Sequence, residues 1–110
     1  MKQLDPEELA RELSTRGLDW ADKDSAFYAL EESKTSVLSQ CKAELNVQDQ
    51  SEAAKETAAR RAPKFLQHLK ATADARKAMN TAKVNYAAFQ AYIELIRSRE
   101  ATNRAEINLR

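Results

Sequence analysis

Two side chains in this sequence have the intrinsic reactivity for acid–base, nucleophilic or metal chemistry near neutral pH. They are His68 and Cys41, the one histidine and the one cysteine in 110 residues. A zinc centre needs about four Cys, His or carboxylate ligands, and no pair here has that spacing. Cys41 occupies an apolar helical position, where a buried and inert thiol is expected. His68 falls on an apolar helical seam, where a packed neutral imidazole is expected rather than a ligand or a base. Carboxylates stand side by side at Glu7-Glu8 and Glu31-Glu32, but adjacent helical residues do not face each other, so neither pair suits a shared proton. One glycine excludes a glycine-rich phosphate loop. These residues predict no enzyme, no cofactor and no metal.

A different chemistry is offered between Arg60 and Lys83. Arg60, Arg61, Lys64, Lys70, Arg76, Lys77 and Lys83 are relieved there only by Asp74. Mobile cations of this kind engage phosphates and release counterions, so Arg60, Arg61, Lys64, Lys70, Arg76 and Lys77 are candidate nucleic-acid contacts. On a helical wheel they scatter over the surface outside the seam and do not form one stripe. No aromatic is interleaved among them on the outer face, so no base-stacking platform is expected. The halves of the chain differ in sign. Residues 1–55 carry 7 basic and 12 acidic side chains, and residues 56–110 carry 11 basic and 5 acidic. That division fits a nucleic-acid surface, and it fits equally two halves lying against each other.

The elements that position these residues follow from composition. Ala, Glu, Lys, Leu and Arg make up 60 of the 110 residues, with one glycine and two prolines. A β-sandwich, a barrel or a doubly wound α/β domain needs more turn residues than that, whereas long helices suit it. One all-α domain is expected over residues 1–110. The lone cysteine argues against a disulfide scaffold and for a reducing compartment. Met1 to Glu8 lacks the apolar core of a signal peptide, and the longest uncharged run, Val84 to Ile93, is about half a membrane span. A cytoplasmic protein with no membrane partner is expected.

Asp5-Pro6-Glu7-Glu8 reads as a helix start, with Asp5 as cap, Pro6 in the first turn and Glu8 closing a capping box. Gly17 sits where a left-handed terminating residue would, so a short helix over about 6–16 is expected. A second, begun at Asp22 or Asp24, runs over about 22–45 through Phe27, Leu30, Val37, Leu38, Cys41 and Leu45. The turn falls at about 46–51, and Asp49 with Glu52 forms a second capping box. Pro63 ends or kinks what precedes it.

From about 63 to 108 one long helix is expected. Along Phe65, His68, Thr72, Ala75, Met79, Ala82, Tyr86, Phe89, Ile93, Ile96, Glu100, Asn103 and Ile107 the spacing alternates 3 and 4, which is a coiled-coil seam. Leu66, Leu69, Tyr92 and Leu95 flank it and widen the apolar face. The fold expected is an elongated helical hairpin or coiled coil, all-α. Its oligomer seam runs through Met79, Ala82, Tyr86, Phe89, Ile93 and Ile96, with a homo-oligomer as the product.

The tract from Ser51-Glu-Ala-Ala-Lys-Glu, through His68-Leu69, Ala75-Arg76 and Tyr86, to Ile93-Glu-Leu-Ile-Arg-Ser-Arg-Glu-Ala-Thr-Asn-Arg-Ala105 resembles small helical proteins encoded by tailed phages and prophages. The resemblance covers just over half of the chain. It implies a phage accessory protein, some of whose relatives lie in gene neighbourhoods for recombination or replication, and it supplies no activity. A non-enzymatic scaffold or adaptor that binds itself and a phage or host protein is the first functional expectation. A nucleic-acid-binding accessory factor acting through residues 60–83 is the second.

Overall fold

A computed structural model describes residues 4–45 and 50–109 of the chain. Three helices account for almost all of them: α1 (Pro6–Glu44), α2 (Glu52–Arg60) and α3 (Pro63–Leu109). No strand occurs among the described residues, so the chain is all-α. Its packing divides into two compact units, Met1–Ala21 with Asn80–Arg110, and Asp22–Met79. In each, α1 and α3 pair antiparallel as the arms of a helical hairpin.

The helix starts obey local rules. The Asp5 carboxylate accepts the Glu8 amide at 2.9 Å, and Pro6 opens α1 without wasting an amide donor. Ser51 caps α2 by accepting the Ala54 amide at 3.2 Å. The expected Asp49 cap and residues 46–49 of the expected turn lie outside the described residues. Pro63 acts at the last junction: α2 stops at Arg60, Arg61 and Ala62 turn the chain, and α3 begins at the proline, with the Leu66 amide bonded to the Ala62 carbonyl at 3.0 Å.

Gly17 corrects the sequence reading. No helix ends there; α1 runs unbroken through it, and its φ is not positive. The short helix over 6–16 and the separate helix from 22 are one element of 39 residues. The glycine serves a close approach instead. A Cβ at that position would stand 3.3 Å from Cε2 of Tyr86, which is inside ordinary carbon–carbon contact.

In the unit of Asp22–Met79, Cys41, Ala59 and Phe65 form the buried core, with Val37, Leu38, Leu45, Ala62 and Leu69 packed against it. Phe27 and Thr72 are also buried there. In the unit of Met1–Ala21 with Asn80–Arg110, Ala82, Phe89 and Ile96 are buried. Trp20 meets Tyr86 with ring centroids 5.5 Å apart, and the Arg16 guanidinium lies 4.5 Å above the Phe89 ring.

Candidate interaction surface

The basic side chains of residues 60–77 are largely occupied by the protein's own carboxylates. Arg60 bonds Glu56 at 2.9 Å, Lys64 bonds Glu44 at 3.1 Å, and Arg76 bonds Glu31 at 3.0 Å. Lys70 stands 3.9 Å from Asp74. The Arg76 guanidinium also lies 5.2 Å from the centre of the Phe27 ring. Arg61 and Lys77 are exposed and make no ion pair among the described residues. The pairs Glu44–Lys64 and Glu31–Arg76 join the acidic N-terminal half to the basic C-terminal half, and Lys42–Glu52 ties α1 to α2 within the first half. Each is solvent-facing and contributes at most about 1 kcal/mol. The Arg60 guanidinium also holds the Glu56 carboxyl below its ordinary range by donating to it.

His68 and Cys41 are structural where they are found. The Leu30 carbonyl lies 2.8 Å from Nε2 of His68. An oxygen of that kind only accepts, so Nε2 carries the proton. The His68 carbonyl in turn accepts the Thr72 hydroxyl at 2.8 Å. Cys41 is 2% exposed inside the apolar core. Among the described residues no group of three or more His, Cys, Asp or Glu side chains could hold a metal ion. No helix among them is long and apolar enough to cross a membrane.

The seam residues are covered by α1 of the same chain. Ala82, Phe89 and Ile96 are buried, and Met79, Tyr86 and Ile93 are partly buried. Tyr86 packs on Gly17 and Trp20, and Phe89 under Arg16. Ile93 and Ile96 line a groove of about 300 Å³ with Pro6, Leu9 and Leu13. Beyond Ile96 the remaining seam positions, Glu100, Asn103 and Ile107, are exposed. Met79 to Ile96, taken from the sequence as the oligomer seam, therefore meets its partner helix within the chain. The seam pattern specifies a covered face, and chain reversal brings α1 to it.

What stays uncovered lies on another face of α3. Val84 is 64% exposed, Leu95 49%, Tyr92 43% and Leu109 89%. Stepping along Val84, Ala88, Ala91, Leu95, Ser98, Thr102, Ala105 and Leu109, the spacing alternates 4 and 3, and all eight positions are exposed. None carries a charge, although the same stretch holds Glu94, Arg97, Arg99, Glu100, Arg104 and Glu106. Reading Leu95 as a mere flank of the main seam misses this second register. Its signal was the absence of charge at 3.5-residue spacing, masked by the alanines that the main seam also uses. Comparison with protein-family models, curated proteins and solved structures finds no match for this chain.

Proposed function

We propose that the protein is a non-enzymatic helical scaffold or adaptor that works by presenting the outer face of α3, residues 84–109, to a protein partner. One observation carries this reading: Val84, Tyr92, Leu95 and Leu109 remain exposed on a helix whose main seam is already filled by α1. An uncharged line with recurring apolar side chains along an otherwise highly charged helix is the pattern of a helix that meets another helix. The charges on the same helix are confined to other positions, as expected of a face kept dry in use. The resemblance of residues 51–110 to phage and prophage helical proteins supports placing the partner in a phage process. The carboxylates on Arg60, Lys64, Lys70 and Arg76 favour a protein partner over nucleic acid.

A photo-reactive residue placed at Val84 or Leu95, in cells that carry the natural partner, tests the reading. Adducts with protein, a second copy of the chain included, are expected from these sites, undiminished by nuclease, and not from exposed Asp22 on α1. Equal labelling from all three sites, or adducts that vanish with nuclease, would refute it.

A further inference from the structure

We infer that a second copy of this chain covers the outer face of α3, helix against helix, parallel and in register. This rests on the reading that the face is an interaction surface, and it names the occupant. The eight positions from Val84 to Leu109 repeat every 3.5 residues, which is the period of a supercoiled helix pair and not of a globular helix face. At about 100° per residue, Val84 and Leu95 lie roughly 160° around α3 from Tyr86, Phe89 and Ile93. In this unit α1 occupies the latter side, so a second helix can approach without meeting it. One of the two hydroxyls on the stripe is already prepared for burial. The Thr102 hydroxyl donates to the Ser98 carbonyl at 3.0 Å, so covering it leaves that donor satisfied.

The flanking residues choose the partner and its direction. Asn85, Tyr92, Arg99 and Glu106 follow the stripe on one side, and Ala87, Glu94, Ala101 and Asn108 precede it on the other. In a parallel pair these flanks face each other five residues apart. Glu94 then meets Arg99 of the second copy, twice by symmetry, and no like charges meet. The fully overlapped antiparallel alternative sets Arg99 beside Arg99 of the second copy across the two-fold axis. The stripe is thus self-complementary in one direction only.

Its size sets the strength. Twenty-six residues span about 39 Å, and at a helix width of about 10 Å the footprint is about 400 Å² on each copy. That is roughly half of a standard interface, so a weak and reversible dimer is expected.

The test uses the purified full chain alone, by sedimentation equilibrium from about 5 to 500 µM, a range that brackets an interface of this size. A reversible monomer–dimer equilibrium is expected. Leu95→Glu should weaken it at least about tenfold with unchanged helix content, because the added carboxylate would be buried without a partner. Glu94→Arg and Arg99→Glu should each weaken self-pairing, while their equimolar mixture should pair more tightly than either alone. Val84→Cys should form an oxidised dimer, with the wild type, whose Cys41 is buried, as the control. Three results would overturn the inference: a monomer throughout, a dimer indifferent to Leu95→Glu and to the charge exchange, or a dimer in which Val84→Cys does not cross-link. A monomeric wild type that still yields adducts with another protein in cells would overturn the second copy and leave the adaptor reading standing.

Discussion

Gly17 offers the sharpest test of how this chain is held together. Two accounts of it predict opposite signs. If the glycine ended a helix in the left-handed region, any side chain there would cost about 1–2 kcal/mol. The structure instead places it in the interior of α1 with φ not positive, where glycine costs roughly 0.5–1 kcal/mol relative to alanine. Gly17→Ala should recover that amount, less the cost of seating a Cβ at 3.3 Å from Cε2 of Tyr86. The obstacle is one edge of a partly exposed ring and not backbone. A shift of a few tenths of an ångström relieves it, at a cost of a few tenths of a kcal/mol. Gly17→Ala is therefore expected to stabilise the protein by about 0.3–0.5 kcal/mol, or roughly 2–3 °C in Tm. In a Tyr86→Ala background the ring is gone and the full propensity gain of about 1 kcal/mol should appear. Urea unfolding followed by far-UV circular dichroism, on all four members of the cycle, measures both numbers. A loss of stability on Gly17→Ala in the Tyr86→Ala background would refute the reasoning, since it would mean that the backbone itself requires glycine.

Phe65 is 2% exposed against Cys41 and Ala59, whereas its neighbour Leu66 is 50% exposed. Phe65→Ala should cost about 3–5 kcal/mol and Leu66→Ala under about 1 kcal/mol by chemical denaturation. The wild type should not be retained on a polyanion at about 50 mM salt; salt-dependent retention whose slope falls when Arg60, Arg61 and Lys64 are changed together to glutamine would point to phosphate contacts instead. The Glu8 amide, by donating to Asp5, holds that carboxyl below the usual range, and the hydrogen bond to the Asp5 carboxylate raises Glu8. The depressed Asp5 makes a contribution that is present at neutral pH and lost as pH falls through its folded value, and the raised Glu8 opposes it. Carboxyl-resolved NMR titration should find the two displaced in opposite directions, with Asp5→Ala returning Glu8 towards its ordinary value.

Much of this architecture is legible in local chemistry. Twenty alanines with a single glycine and two prolines leave little but helix. Asp5 and Pro6 start α1, and Pro63 separates α2 from α3, because caps and prolines act on their own backbone within a few residues. The seam is legible for the same reason: its period names a face that water must leave. The Ser51 cap is hidden in the sequence because Asp49 offers an equally good side chain two residues earlier.

Other features depend on where distant segments meet. Gly17 has the same local signature whether it ends a helix or admits a ring, and only the arrival of Tyr86, sixty-nine residues later in the chain, decides between them. Arg76 and Lys64 look like free cations until chain reversal sets Glu31 and Glu44 beside them. Sequence alone thus determined an all-helical chain, its principal boundaries and the existence of an apolar seam on α3, because each follows from residues within a turn or two of one another. Tertiary structure decided that α1 of the same molecule fills this seam as far as Ile96, that Lys64 and Arg76 meet carboxylates of α1, and that the line from Val84 to Leu109 stays uncovered. A periodic pattern states that a face must be covered, and only the path of the chain determines what covers it.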